Sequence, residues 1–534
     1  MSGPKRMSPI NETLVALQHR AERIDAATLV DTFVEVGPLA PLLSRLEHQI
    51  LFGRRGTGKT HALQYMLAKW RDPGDAAVYL DMRVVGSAGS LYADERLSIE
   101  ERGTRFLIDT LKEIRDQLVD AAFEAFGDQA GDTLNLLSEL EKVIINVRVV
   151  GENVERTTRL AQRKEVKKTA GLDLRISLKG PGAGLGFQDG ELQAQSKEVF
   201  THEVGQEEHT VHFGDISGTL KKIAKALTGE GRIWIVLDEW SAVPYELQPI
   251  VADLIRRAVF TVENVTVKIG AIEYRSHFRR SSAGRAYVGI EVGADAPADA
   301  NLDEFMVFGI DPERATEFFS ELLYKHVRAS LVEKGRVDEA PTSAKDLIQR
   351  GFTGRPAFRE LVRAAEGVPR DAMYIASMAA QRAMDRLISV DDVRAAARRF
   401  YQVDKEQELS EESKKLLIWI IEKVIGARRA RAFLLRQGSP EPLIGYLNDQ
   451  RILHVMKKGI GSKDEAGVRY DVYSIDYGCY VDMMTTAAEP RGLLEVELED
   501  GSIEYVDVPP DDYRAIRRAI LDPVDFHNSL VPSE

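Results

Sequence analysis

Short apolar runs alternate with amphipathic stretches through the first half of the chain. Gln49-Ile-Leu-Phe52, Ala76 to Met82, Arg232-Ile-Trp-Ile-Val-Leu-Asp-Glu239 and Asn264 to Arg275 each carry a brief, nearly charge-free core. Such runs predict strands covered on both faces, which is the habit of a parallel sheet. His61 to Trp70, Ile99 to Phe126 and Leu134 to about Ile145 follow the helical period instead. Strands alternating with helices predict an α/β core. After residue 301 the pattern turns helical, with Asp311-Pro-Glu as a helix start and apolar spacing through Ala315 to Val327, Leu347 to Gly351 and Ala372 to Leu387. Ile388-Ser-Val-Asp-Asp-Val393 reads as a capped helix start.

Between Arg83 and Gly231 lie about 150 residues, whereas a crossover needs only about 10 to 12. An insertion therefore occupies about 84–230. Within it a basic run, Arg159 to Lys168, leads into Gly171 to Phe187, which alternates like a strand and then becomes glycine-rich. This segment reads as a hairpin reaching nucleic acid, a membrane or a partner, as a plain surface hairpin, or, over Gly180 to Gly190, as a loop. His202, His209 and His212 lie among acids, but their spacing matches no compact zinc motif.

Beyond Gln402 a polar linker, Asp404 to Glu412, precedes helical stretches Ser413 to Ile425 and Ala427 to Arg436. A break at Gln437-Gly-Ser-Pro440, a short helix to Asn448, and strands Arg451 to Met456 and Val468 to Ile475 follow. Three helices and a β-hairpin in this order predict a winged helix. A hairpin around Asp500-Gly501 and a helix from Pro510 to Leu521 complete the pattern. The expected organisation is an N-terminal helical segment (1–30), an α/β core (31–300), a helical lid (301–402), a winged helix (405–480) and a small acidic hairpin with a helix (490–534).

Composition narrows the classes. At 534 residues the chain holds roughly three or four domains, and 44% hydrophobic with 29% charged residues suits a folded protein. Cys479 is the single cysteine, which excludes an intrachain disulfide and a cysteine-based zinc site. The longest apolar runs, such as Leu416 to Ile421, fall far short of the roughly 18 residues a membrane span needs. A cytoplasmic protein with no membrane span is expected. The formal charge of −13 argues against a uniformly basic surface, yet it is unevenly spread. Residues 423–463 hold nine Lys/Arg and two acids, whereas residues 481–534 hold thirteen acids and four arginines. The first region suits double-stranded DNA, with Lys457, Lys458 and Lys463 along the backbone or in a minor groove; a protein-binding winged helix with a solvated basic face is the other reading. The acidic tail is expected to compete for that basic face.

The chemistry is concentrated in Gly53-Arg-Arg-Gly-Thr-Gly-Lys-Thr60, a GxxxxGK[ST] loop between a strand and a helix. Gly53, Gly56 and Gly58 let the backbone curl so that amides of Arg54, Arg55, Thr57 and their neighbours through His61 face phosphate oxygens. Lys59 is expected on the β- and γ-phosphates and Thr60 on Mg²⁺. Asp238 closes an apolar run as the metal-holding carboxylate, and Glu239 is the expected base that orients water. No Asn-Lys-x-Asp motif is present, so ATP is expected in place of GTP. The N-terminal segment, Asn11 to Ala27, is expected over the adenine.

The order of these motifs resembles an AAA+ ATPase of the replication-initiator group related to the origin recognition complex and its archaeal relatives. The resemblance covers residues 31 to 400 loosely. Gly367 and Arg370 in Gly-Val-Pro-Arg match the pattern whose arginine, sensor 2, reaches the nucleotide from the lid. The resemblance places Glu273 where sensor 1 is usually Asn, Ser or Thr. A carboxylate beside a γ-phosphate is repelled unless metal, water or a cation intervenes. The resemblance implies an α/β P-loop NTPase core, a helical lid, a C-terminal winged helix, ATP hydrolysis with Mg²⁺, and a homo-oligomer or partner ATPase that supplies an arginine. Arg256, Arg257, Arg275, Arg279, Arg280 and Arg285 are the finger candidates. The expected function is a nucleotide switch governing DNA engagement, with a STAND-type signalling scaffold that binds a protein partner as the alternative.

Overall fold

In the computed structural model the described residues are 7–17, 26–35, 37–85, 97–144, 147–159, 200–209, 212–282, 285–305, 311–425, 432–439, 441–462, 465–485, 495–497, 503–505 and 519–530. They form two compact units, Met1–Glu141 with Phe213–Glu534, and Lys142–His212.

Strands β1 (Gln49–Phe52) and β2 (Ala76–Asp81) open the α/β core. The chain then runs through helices Ile99–Phe126 and Gly131–Ile144 before entering the smaller unit. There β3 (Val147–Arg159) and β4 (Phe200–His209) pair antiparallel, with a register shift between Val150 and Glu155. The glycine-rich segment expected as a hairpin lies outside the described residues. Helix Phe213–Thr228 leads back to β5 (Ile233–Asp238) and β6 (Val265–Ala271). A hairpin of β7 (Arg279–Ser282) and β8 (Arg285–Gly289) precedes the short β9 (Ala300–Asn301).

The core sheet has the order β2-β5-β6-β1-β9, and every pairing is parallel. All residues of β5 and β6 are buried; β5 accordingly runs apolar up to Asp238, whereas β6 also buries Thr266 and Lys268, the latter held by the carbonyls of Arg45 and Glu47 and by Gln49. The edge strand β2 alternates buried and half-buried positions. This is the α/β core that the motif order implies. The register sets Asp81 beside Asp238 and Phe52 beside Ala271, so the carboxyl ends of four strands share one rim. Ligands of open α/β sheets bind at that rim.

Helices Pro312–Glu333, Ala344–Gly351, Arg355–Ala365, Pro369–Ala383 and Val390–Phe400 make the lid around Phe319, Phe352, Phe358 and Leu361. Asp311 and Ser389 cap their helices as expected, Ser389 within a full capping box. The N-terminal helix Pro9–Ala16 packs against the same bundle. Its Ile10 and Leu14 are buried in the lid core, and Asn11 Nδ2 donates to the carbonyls of Met384 and Arg386 at 2.9 Å each. Its apolar face is completed by lid helices, while residues 18–25 of the stretch expected over the adenine lie outside the described residues.

The C-terminal region begins with helix Glu411–Trp419, continued to Ile425. It adds β10 (Ala432–Arg436), helix Pro442–Asp449, β11 (Leu453–Gly461), β12 (Arg469–Ile475) and helix Tyr477–Thr485. Strands β13 (Glu495–Glu497) and β14 (Ile503–Tyr505) pair antiparallel, as the Asp500-Gly501 signal predicts. The short β15 (Ile520–Leu521) pairs with β10, and helix Pro523–Leu530 follows.

Two expectations fail here. The stretch read as helix to Arg436 is a strand from Ala432, because Phe433 and Leu435 enter one core while Ala432 and Leu434 enter another. A four-residue apolar run fits either period, and packing on both faces decided for the strand. Ile520–Leu521, expected to end a helix, is also a strand, and 510–518 lie outside the described residues. Among the described residues two helices, not three, precede the β11–β12 hairpin. No described helix is long and apolar enough to cross a membrane.

Candidate nucleotide site

The P-loop joins β1 to helix Lys59–Tyr65. Gly56 and Gly58 have φ of 86° and 95°, the left-handed region that glycine enters at least cost. Gly53 has a different reason to lack a side chain, since a Cβ there would sit 2.5 Å from Thr57 Oγ1. The buried Lys59 turns its Nζ back onto the loop, donating to the carbonyls of Gly53 at 2.8 Å and Arg54 at 3.1 Å. Burial lowers the Lys59 pKa, and the opposing pull of Glu239, Asp238 and Asp303 does not cancel that effect.

Asp238 is completely buried at the end of β5, one strand removed from β1. Its Oδ2 accepts from Thr60 Oγ1 at 2.6 Å and from Tyr79 hydroxyl at 2.8 Å, while Oδ1 accepts from the Glu239 amide at 2.8 Å. The carboxylate reaches Thr60 across β6 because residue 270 there is glycine; a Cβ at Gly270 would lie 2.4 Å from Oδ1. Glu239 has φ 56° and ψ 39°. A non-glycine residue in that region is uncommon and belongs with functional turns.

The lid meets the loop directly. The Arg370 amide donates to the Gly56 carbonyl at 3.2 Å, and a Cβ on Gly56 would meet Arg370 Cβ and Nε at 2.9 Å each. Arg55, Lys59, Thr60, His61, Glu239 and Arg370 line one cavity of about 400 Å³. His61 Nε2 is bound to the Leu29 carbonyl at 2.6 Å, and burial lowers its pKa.

Two sequence-predicted residues point elsewhere. Arg54 donates from Nε to Asp303 at 2.8 Å and from Nη1 to His454 Nδ1 at 2.6 Å, on the side of the loop away from the cavity. Glu273, expected at the sensor-1 position, accepts from Lys458 Nζ at 2.8 Å on both oxygens. The cation that its carboxylate requires is thus supplied by β11, and Glu273 does not line the cavity. Gly53 and Thr57 do not line the cavity either. Among the finger candidates, Arg256 and Arg257 share Asp253, Arg275 pairs with Asp449 at 2.6 Å, and Arg279 pairs with Glu291. Arg280 is exposed, and the side chain of Arg285 lies outside the described residues. His202 and His209 sit on β4, and no metal-competent cluster occurs among the described residues.

Sequence reasoning missed an entire wall. Asp404, Glu408, Asp449, Gln450 and Arg451, all from the C-terminal region or its approach, line the same cavity. Burial raises the Asp449 pKa despite Arg275. Arg451, at φ 61°, pairs with Asp371 and with Asp404 at 3.2 Å. The Asp449-Gln-Arg-Ile452 turn carries no motif, and only a strand signal after it marks the place.

A parallel α/β sheet with a P-loop at its carboxyl rim, an acidic strand end beside it and a helical bundle packed on the loop defines the class: an α/β P-loop protein. Residues 16–72, which carry the loop, match the model of the ORC-CDC6-like family. Among solved structures the chain is similar to the Orc1 protein of Aeropyrum pernix in complex with DNA. That likeness has 13% identity, 85% of this chain and 93% of that chain covered, and a TM-score of 0.26. None of the curated proteins matches this chain.

Proposed function

We propose that this chain is a Mg-ATP-binding and ATP-hydrolysing switch of the AAA+ type. The observation that carries the proposal is the convergence of Lys59, Thr60, Glu239 and Arg370 from three separate parts of the fold on one cavity, with the buried Asp238 bonded to Thr60 directly behind it. The residues fit the nucleotide: a glycine loop curled by positive φ, a volume within the roughly 300 to 1,000 Å³ of small-molecule sites, and a hydroxyl–carboxylate pair suited to a hard cation. In this reading Thr60 and Asp238 hold Mg²⁺, which would neutralise charge developing on the phosphates. Lys59 exchanges the carbonyls of Gly53 and Arg54 for phosphate oxygens. Glu239 orients the attacking water, and Arg370 carries the lid's response to the nucleotide.

Turnover in such a site gains from an arginine delivered by a neighbouring copy or a partner ATPase, so activity should rise with protein concentration. The basic C-terminal region engages duplex DNA in the same proposal, supported by its local charge and by the ORC-CDC6-like P-loop segment. Arg428, Arg429, Arg431 and Lys463 of that region lie outside the described residues. The test is ATP turnover with and without duplex DNA, together with DNA binding over a salt series. Turnover lost in Glu239→Gln and DNA affinity falling steeply with salt support the proposal. Turnover unchanged in that variant removes Glu239 from its role. DNA binding absent at low salt favours a protein-binding scaffold.

A further inference from the structure

A row of buried ionisable groups runs from the P-loop through the C-terminal region to the lid. Asp303 holds Arg54 twice, through the backbone amide at 2.9 Å and Nε at 2.8 Å. Arg54 Nη1 meets His454 Nδ1 on β11, and a guanidinium only donates, so Nδ1 must accept. The ring proton therefore sits on Nε2, which faces Asp476 Oδ2 at 3.3 Å. Asp476 in turn accepts from Lys405 Nζ at 2.6 Å, and Lys405 lies 3.3 Å from Asp371 of the lid helix. Asp371 follows Arg370 directly and is also bound by Arg451. His454, Asp476, Lys405 and Asp371 all have side chains at most 2% exposed.

Burying so many charges is costly unless each is paired, and removal of one partner strands the others. Apolar side chains would join these surfaces with less desolvation. What the polar row adds is direction, because a guanidinium held at two ends fixes the backbone that carries it. The backbone of Arg54 supplies one of the carbonyls that Lys59 binds.

We infer that His454 is a positioning residue of the nucleotide site, acting on the P-loop through Arg54, so that ATP affinity requires β11 to be docked on the loop. The inference rests on the ATP-binding reading above. By linkage, ATP must tighten the docking of β11 by the same factor. Burial and the nearby Arg54 charge bring the His454 pKa down to about 4, with Asp476 opposing, so the ring remains a neutral acceptor near neutral pH.

The test compares His454→Leu with His454→Asn in the full chain, measuring Mg-ATP binding by titration calorimetry and folding by thermal melting. Leucine keeps apolar volume and removes the acceptor; asparagine keeps an acceptor for Arg54. The expected result is a cooperative melt for both, ATP binding weakened about tenfold in His454→Leu, and binding within about twofold of wild type in His454→Asn. Wild-type affinity in His454→Leu, or equal losses in the two variants, overturns the inference. If His454→Leu does not fold, Lys458→Glu is read instead. It sets two carboxylates face to face at Glu273, outside the cavity, and adding Glu273→Lys reverses the pair. A several-fold loss that the swap restores supports the inference, and unchanged affinity in Lys458→Glu overturns it. A wild-type chain that binds no ATP fails the ATP-binding reading itself, and the inference falls with it.

Discussion

The cavity has two walls of opposite character. On one side stand Arg55 to Thr60 of the loop and Glu239, backed by the buried Asp238, each placed by the end of a buried strand and tied to neighbours by short hydrogen bonds. On the other stand Asp404, Asp449, Gln450 and Arg451, placed by a turn and a linker that pack through buried ion pairs. The first wall is built by local sequence on a rigid sheet. The second exists only because distant segments pay a desolvation cost together. Chemistry rests on the first, and dependence on conformation on the second.

The sharpest way to break this contrast is to attack the second wall's charge pairing. Lys405→Met leaves Asp371 and Asp476 buried without their shared cation, and removing one partner of a buried pair typically costs about 3 to 5 kcal/mol. Urea denaturation should show a loss of that order. A loss below about 1 kcal/mol would mean that the network is slack.

Glu239→Gln sits on the first wall and should behave in the reverse way. Turnover is expected to fall by a factor of about 100, with ATP binding and unfolding midpoint close to wild type. A matching loss of stability would give Glu239, with its left-handed backbone, a structural part instead.

Acid should separate the walls more gently. The folded pKa of His454 is about 4 against an ordinary value of 6.5, so between those values the unfolded chain takes up a proton that the folded chain refuses. Stability is therefore full above 6.5 and declines as pH falls towards 4; buried His48 and His61 add to the same slope. His454→Leu should flatten that slope in denaturation curves measured at pH 7, 6 and 5. An unchanged slope would place the proton uptake elsewhere.

Lys458→Ala is expected to have the smallest effect. The pair with Glu273 is about a third exposed at each end, and exposed pairs contribute roughly 0.2 to 1 kcal/mol. Salt should weaken it further.

The two walls also differ in how far the residues announce them. Gly56, Lys59, Thr60 and Asp238 are legible because phosphate and metal chemistry demand those types at fixed spacing on a strand–loop–helix frame. Arg370 was legible by resemblance, and its contact with Gly56 explains why no side chain is tolerated there. The side chains of Glu273 and Arg54 lie away from the cavity for one shared reason. Arg54 lies within the loop motif and Glu273 just beyond a strand end, and their long side chains are held by Asp303 and by Lys458 of β11, partners remote in sequence. His454 and Lys405 gave no signal, since a lone histidine in an apolar strand and a lysine after a helix are commonplace until the fold brings Asp476 between them. Ala432 to Arg436 was lost to a helical reading because its two faces pack on different cores, information that lies wholly in tertiary structure.

Mg-ATP titration of wild type and Lys59→Ala tests the central claim most directly. The account predicts saturable binding near one ATP per chain in wild type and loss of at least about 100-fold in affinity in the variant, while both melt alike. Equal binding by the two proteins, or none by wild type, would contradict it.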